Sequence, residues 1–150
     1  MKIEIVTPAH NSSHFSCGVV SLDLYLQKQA IKDTDRQLTI AYVLNNQEKM
    51  VAGYYALSST MIELANDEII SSTVISHLAV DKPYQKNGYG ELLLLDALYR
   101  AYSLHQEKNI LTIIVNSINK SATRFYKKYG FSSFINQHDM LYLPMKMSPP

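Results

Sequence analysis

The stretch from Ser76 to Leu104 constrains the fold of this chain most, because it joins a short apolar strand, a glycine turn and a long leucine-rich helix. Gly88 and Gly90 lie where the strand gives way to the helix. The first backbone N–H groups of a helix have no acceptor within the helix, and the helix dipole places partial positive charge at that end. We therefore expect an anion, and best a phosphate group, in front of these amides.

The glycine turn does not belong to two common phosphate-binding loops. The segment Gln85-Lys86-Asn87-Gly88-Tyr89-Gly90 has no Lys-Ser/Thr pair after its glycines, and its spacing is not that of a dinucleotide loop. The pattern Gln/Arg-x-x-Gly-x-Gly/Ala, directly after Leu78-Ala79-Val80, resembles instead the acetyl-CoA loop of the GCN5-related N-acetyltransferases (GNAT family). From the six residues alone, a plain strand-to-helix turn is the alternative.

A second stretch, residues 119–131, matches the other signature of that family, Asn-x-x-Ala-x-x-Phe-Tyr-x-x-x-Gly-Phe. Asn119 is a typical N-cap residue, and Gly130 is typical of the position just after a helix. The spacing i, i+3, i+4 and i+7 predicts one apolar stripe. Its members are Ala122, Phe125, Tyr126 and Tyr129. The segment is therefore predicted to be a helix, in which Tyr126 is either a core aromatic or a functional phenol.

The remaining pattern predicts a single α+β domain over residues 1–150, with a mixed, mostly antiparallel sheet flanked by helices, as in the GNAT fold. We predict a helix that Ser21 caps. Residues 60–72 fit either a longer strand or a loop with a short helical turn, and the sequence does not decide between them. The predicted strands cover residues 2–6, 38–44, 50–58, 73–80, 110–115, 131–135 and 140–147, and the predicted helices after the first cover 88–104 and 119–129.

Composition excludes several classes of protein. Hydrophobic residues make up 47% and charged residues 18% of 150 residues, which is typical of a globular chain. No apolar run is long enough to cross a bilayer, and the first five residues alternate as in a strand. One cysteine cannot form an internal disulfide. We therefore expect a cytoplasmic protein without a membrane anchor.

Three side chains near the N-terminus raise the question of a metal site. His10, His14 and Cys17 offer three ligands, but the spacing is not that of a zinc finger and no fourth ligand follows closely. A small buried thiol with two surface histidines is the simpler interpretation. We expect no metal.

The resemblance implies an acetyl-CoA-dependent N-acetyltransferase in which a substrate amine attacks the thioester directly. It implies that the backbone of one strand pairs with the pantetheine arm and that Tyr126 acts as the general acid for the leaving thiolate. The residues expected to bind the cofactor are Leu78, Ala79, Val80, Gln85, Lys86, Asn87, Gly88, Tyr89, Gly90 and Asn119. No general base can be identified, because a free α-amine with a pKa near 8 is partly neutral at pH 7.

Further matches point to one branch of the family, the acetyltransferase toxins of type II toxin–antitoxin modules. The matching segments are Phe15-x-Cys17-Gly18-x-x-x-Leu22-Asp23-x-x-Leu26, Val51 to Leu57, Leu78 to Asp81 and Phe125-Tyr126. The resemblance implies acetylation of the α-amine of aminoacyl-tRNA, a block of translation, a ribbon-helix-helix antitoxin and a homodimer. Two positions depart from the toxin pattern, since His77 and Gln85 stand where arginine is common.

A tRNA substrate requires exposed cations, because contacts with phosphates supply most of the affinity. Such cations could equally be ordinary solvated side chains at a net charge of +1. Two other functions stay open, a GNAT enzyme acting on a small-molecule or peptide amine and a non-catalytic binding module. The candidate nucleic-acid-binding residues are Lys28, Lys32, Arg36, Lys82, Lys86, Arg124 and Lys128, with Lys120 and Lys127 on the same helix as the last two.

Overall fold

The computed structural model describes residues 1–63, 66–108, 112–135, 137 and 139–145. The described residues form a seven-stranded mixed sheet in the order β1-β2-β3-β4-β5-β7-β6, flanked by helices, as predicted. The chain divides into two compact units, Met1–Ser58 with Ser76–Leu98 and Ser59–Ile75 with Tyr99–Pro150. The strands are β1 Lys2–Ile5, β2 Ile40–Asn45, β3 Val51–Glu63, β4 Ile69–Val80, β5 Thr112–Asn116, β6 Ser132–Ser133 and β7 Met140–Pro144.

The first helical segment is interrupted. It consists of α1, Val20–Leu24, a π-helical turn, Tyr25–Gln29, and α2, Ala30–Asp35. The predicted cap at Ser21 is wrong, because the N-cap of α1 is Val19, two residues earlier, and has no side-chain hydrogen bond. Asp23 instead accepts the backbone N–H of Cys17 at 2.8 Å, which ties the preceding loop to the helix. The other helices are α3, Tyr89–Lys108, and α4, Lys120–Lys128.

The first unit is built around antiparallel strands and an apolar helical face. Strand β2 pairs with β1 and with β3. Residues 51–57 of β3 are all buried, which means that both faces of this strand are covered. Leu22, Leu26 and Ala30 of the interrupted helix contribute to the same core, since their spacing of four places them on one face.

Gly53 lies at a bulge and at a close approach between elements. The register of β2 with β3 shifts between Leu44 and Asn45, directly opposite this glycine. A Cβ atom at Gly53 would lie 2.9 Å from Cδ1 of Leu93 and 3.0 Å from the carbonyl oxygen of Ala79. Only glycine lets β3 approach both β4 and α3 this closely.

Helix α3 buries one face of its leucine run. Leu93 and Leu94 are fully buried, but Leu92 and Leu95 are 44% and 48% exposed. The two buried leucines lie on the same face of the helix as Ala97, which is also buried. No described helix is long and apolar enough to cross a membrane.

The second unit contains the parallel pairing of the sheet. Residues Ser72–Ile75 of β4 pair in parallel with Thr112–Val115 of β5, and β7 pairs antiparallel with β5 and β6. Residues 60–72, for which the sequence did not decide between strand and loop, form strand at both ends, since β3 continues to Glu63 and β4 begins at Ile69. Residues 64, 65, 109–111 and 146–150, which include parts of the predicted strands, lie outside the described residues.

Candidate functional site

The glycine loop is held in shape by backbone and side-chain bonds within the first unit. A 3₁₀ turn, Lys82–Tyr84, leads into it, and Gly88 accepts the backbone N–H of Leu92, which makes Gly88 the first residue of the helical hydrogen-bond ladder. Lys86 and Gly88 both have positive φ, at 64° and 85°. No atom lies within 4 Å of where a Cβ of Gly88 would be, so glycine is needed there for its conformation rather than for space.

The side chain of Gln85 forms hydrogen bonds inside the protein that hold the glycine loop. Its Nε2 donates to the carbonyl oxygens of Cys17 and Val80, both at 2.8 Å. Both side-chain donors are therefore used inside the protein, and the prediction of Gln85 as a cofactor contact applies at most to its remaining groups. Asn87 behaves similarly, because its Nδ2 donates to the carbonyls of Tyr84 and Gln85 at 3.3 and 3.1 Å.

Asp81 anchors the loop to the N-terminal segment, a role that no sequence pattern assigned to it. The residue is only 2% exposed. Its Oδ1 accepts the backbone N–H of Ser16 at 2.8 Å, and its Oδ2 lies 3.6 Å from Nε2 of His14. Its own backbone N–H donates to the carbonyl of Ala52. A charged residue directly after a buried strand is the signal that could have revealed this anchor.

The C-terminal end of β4 extends beyond its described pairing with β5. This pairing ends at Ile75, and the strand runs on for five residues to Val80. Ala79 is buried, while Leu78 and Val80 are half-buried, as expected from alternation along a strand. Residues 78–80 therefore lie on a strand end directly before the glycine loop.

An aromatic stack lies beside this strand end. The His77 ring stacks on Tyr25 with 3.7 Å between ring centroids, and Tyr25 stacks on Tyr54 at 6.3 Å. The Tyr25 hydroxyl donates to Asp33 at 3.0 Å. Burial lowers the pKa of His77 and raises the pKa of Tyr25, so both rings are favoured in their neutral forms.

Tyr126 lies in an apolar setting in the second unit. It is 6% exposed, and its ring contacts Phe125 and Phe131 edge-on, with centroids 5.4 and 5.6 Å apart. Burial raises the pKa of its hydroxyl. The phenol is thus protonated at neutral pH and can donate a hydrogen bond, whereas it cannot serve as a base.

Asn119 caps α4, as predicted from its type. Its Oδ1 accepts the backbone N–H of Ala122 at 2.8 Å, and the residue is exposed. This bond uses the carboxamide oxygen, and the carboxamide nitrogen is the group that a ligand could engage. A shallow cavity of about 490 Å³ lies along the polar side of the helix, lined among others by Asn119, Lys120, Thr123, Arg124 and Lys127.

The candidate cations are all exposed, on the helical segment 20–35, on the glycine loop and on α4. Ion pairs of the described residues include those of Glu4 with Lys2, His10 and Lys49 and of Asp81 with His14, and none of these four involves a candidate cation. The exposed candidates are Lys28, Lys32, Arg36, Lys82, Lys86, Lys120, Arg124, Lys127 and Lys128.

The three possible metal ligands have separate partners. His10 accepts the backbone N–H of Thr7, and His14 Nε2 lies 2.9 Å from the carbonyl oxygen of Val51. Burial raises the pKa of Cys17 to about 11, which keeps its thiol protonated and unreactive. Within the described ranges, no group of three potential ligands is close enough to hold a metal ion.

Comparison with known proteins identifies the family. The model of the acetyltransferase (GNAT) domain matches residues 24–149. A tRNA-acetylating toxin of Mycobacterium tuberculosis is 28% identical over 151 residues, which cover 95% of this chain and 89% of that protein.

Two solved structures of the AtaT toxin extend the similarity to the fold. A mutant bound to the C-terminus of the antitoxin AtaR has a TM-score of 0.89 at 27% identity, covering 95% of this chain and 92% of that one. AtaT complexed with acetyl-methionyl-tRNAfMet has a TM-score of 0.87 at 26% identity, with 95% and 94% coverage. The chain therefore belongs to the GNAT family and is an acetyl-CoA-dependent N-acetyltransferase.

Proposed function

We propose that this enzyme acetylates the α-amine of aminoacyl-tRNA and thereby acts as a toxin that blocks translation. The observation that carries the proposal is the similarity along almost the whole chain to a tRNA-acetylating toxin, together with the likeness to AtaT in complex with acetyl-methionyl-tRNAfMet. The toxin-like segments around Cys17, Gly53 and Asp81 support it, because their residues build the anchors of the loop and of β4.

The glycine loop and the end of β4 fit acetyl-CoA. The space at Gly88 and the start of α3 suit a pyrophosphate, and the exposed Lys82 and Lys86 add positive charge. The backbone of Leu78, Ala79 and Val80 suits the two amides of the pantetheine arm, in the manner of an added strand. Asn87, Tyr89, Gly90, the backbone of Gln85 and the carboxamide nitrogen of Asn119 complete the proposed cofactor set.

The chemical step is direct transfer. The neutral amine of the substrate forms a bond to the acetyl carbon, the carbon–sulfur bond breaks and its electron pair stays on sulfur. Tyr126 donates a hydrogen bond to the developing thiolate. An ordinary thiol has a pKa near 8.5, well below the raised pKa of this phenol, so stabilisation by hydrogen bonding dominates over full proton transfer.

The exposed cations supply the contacts with tRNA. Lys28, Lys32 and Arg36 form one group on the interrupted helix, and Arg124 and Lys128 form another on α4. Since none of them takes part in a described ion pair, they can meet phosphates without breaking such a pair.

The likeness to AtaT bound to the C-terminus of AtaR supports an antitoxin as the regulatory partner. We propose that it is a ribbon-helix-helix protein, that the toxin is a cytoplasmic homodimer, and that residues 1–150 act as one domain. Size measurements of the purified chain with and without such a partner test the assembly.

The substrate is tested by transfer of labelled acetyl from acetyl-CoA to total aminoacylated tRNA. The matched control is the same tRNA after mild deacylation, which keeps every phosphate and loses only the amine. We expect label on charged tRNA alone. Label on polyamines or peptides alone would agree with an acetyltransferase activity but would exclude both charged tRNA as the substrate and a role as a toxin. These amines are tested because His77 stands where arginine is usual in the toxins.

A further inference from the structure

The aromatic stack at residue 77 places an imidazole directly before the strand end proposed to hold the pantetheine arm. His77 and Leu78 are neighbours on β4. The His77 ring is half-buried, with one face against Tyr25. Its Nδ1 lies 2.9 Å from Oγ of Ser76. When Nδ1 carries the proton and donates to this hydroxyl, Nε2 carries the lone pair.

The residues behind His77 fix its orientation. Tyr25 is the first residue of the π-helical turn, an irregular helical geometry that is frequent at functional sites. Its hydroxyl donates to Asp33, and Gln29 donates to the other oxygen of the same carboxylate at 2.8 Å. Tyr54, behind Tyr25, donates to the carbonyl of Leu22 at 2.6 Å. These bonds hold the surface on which the imidazole rests.

We propose that Nε2 of His77 is the general base that takes a proton from the substrate amine. This inference rests on the proposed function, in which the substrate amine is the α-amine of charged tRNA. It assigns a residue to the role of general base, for which the sequence identified none. An arginine at this position could not accept a proton, so the exchange for histidine changes the chemistry available on this strand.

The proton balance closes without another reactant. The substrate ammonium gives one proton to His77, and the neutral amine then forms the bond to the acetyl carbon. The carbon–sulfur bond breaks toward sulfur, the second proton passes from the nitrogen to water, and the thiolate takes one proton from water, so that free coenzyme A leaves as the thiol. His77 finally returns its proton to water, which gives one acetamide, one thiol and one released proton.

The surrounding charges allow this role at neutral pH. The groups that face His77 are Tyr25 from the interrupted helix, Tyr54 from β3 and, through Tyr25, the carboxylate of Asp33. Burial lowers the pKa of His77, and the charge of Asp33 opposes part of that shift. The imidazole is therefore neutral at pH 7 and ready to accept a proton.

The test compares kcat/KM of the wild type with His77→Gln and His77→Phe between pH 6 and pH 9. Phenylalanine keeps the stacking on Tyr25, and glutamine keeps a polar group. An α-amine has a pKa near 8, so without a base the neutral fraction limits the rate. We expect both variants to lose more activity as the pH falls, by at most about tenfold at pH 7 and about 100-fold at pH 6, with little loss at pH 9.

A loss of equal size at pH 6 and pH 9, or no loss at pH 6, would overturn the role of His77. Acetyl-CoA affinity and thermal unfolding, measured on the same samples, separate the chemical effect from a folding defect. The assay uses charged tRNA, or whichever amine the wild type acetylates if charged tRNA is not a substrate. A result that excludes charged tRNA as the substrate can therefore be distinguished from a result that excludes His77 as the general base.

Discussion

At the scale of single residues, the ring of Tyr126 is fixed by the end of its own helix. Gly130, with φ at 98°, donates to the carbonyl of Lys127, and Phe131 donates to the carbonyl of Tyr126 at 3.3 Å. This is a Schellman motif, which commonly brings the residue after the glycine against the last helical turn. Here that contact is the edge-on packing of Phe131 against Tyr126. The glycine that ends the helix thus also orients the phenol.

Replacing Tyr126 by phenylalanine should separate chemistry from packing. The change removes only the hydroxyl, so the contacts with Phe125 and Phe131 persist. We expect kcat to fall by about two to three powers of ten, the usual cost of removing one hydrogen-bond donor from a developing anion, with unchanged affinity for acetyl-CoA. Steady-state transfer and calorimetric binding measure the two quantities.

Tyr142→Phe is the matched control, because it removes a phenol hydroxyl from β7 in the same unit and leaves its ring against Phe134. It should transfer acetyl at the wild-type rate. A Tyr126→Phe enzyme that is as fast as this control would remove Tyr126 from the mechanism.

At the scale of elements, the start of α4 combines two tasks in one side chain. Asn119 caps the helix through its oxygen and, in our proposal, binds the cofactor through its nitrogen. Its backbone carbonyl also accepts the N–H of Thr123 at 3.0 Å, as expected at an N-cap. A substitution that keeps one group and removes the other can tell the tasks apart.

We expect Asn119→Ser to keep the cap and to remove the hydrogen bond to the cofactor. Serine is as good an N-cap as asparagine, so the free energy of unfolding should stay within a few tenths of a kcal/mol, whereas Asn119→Ala should cost about 1 kcal/mol. Acetyl-CoA should bind more weakly to both variants. Urea titration and acetyl-CoA binding give the two numbers. If Asn119→Ser binds acetyl-CoA with wild-type affinity, Asn119 caps the helix and does not contact the cofactor.

The sequence predicted elements with strong local signals and missed those that depend on distant partners. The cap at Asn119 and the turn at Gly130 follow from local residue types, and both are found. The bond from Gln85 to the carbonyl of Cys17 joins residues far apart in the chain, so no local pattern could reveal it. The π-helical turn at Tyr25 was also missed, because the helical spacing of its apolar residues does not distinguish it from an α-helix. The Ser21 cap was wrong for a local reason, because the helix already begins at Val20 and Ser21 lies within its first turn.

For the whole molecule, total charge says little about a tRNA substrate, since 14 basic residues nearly balance 13 acidic ones. The more informative property is which cations form ion pairs with carboxylates of the protein itself. Lys2 and Lys49 lie 3.2 and 3.3 Å from the carboxylate of Glu4, whereas Arg124 and Lys128 are exposed on α4 outside the described ion pairs. Two pairs of cations in one chain thus provide an internal comparison.

Neutralising the two pairs should separate local charge from net charge. Both Arg124→Gln with Lys128→Gln and Lys2→Gln with Lys49→Gln lower the net charge by two. We expect only the α4 pair to raise the KM for charged tRNA, and to reduce the slope of log KM against log salt by about one unit for each phosphate that the enzyme no longer binds. Because neither pair belongs to the proposed cofactor set, acetyl-CoA affinity should not change. Equal salt slopes in the two double variants would mean that these α4 cations are ordinary solvated side chains that do not contact tRNA.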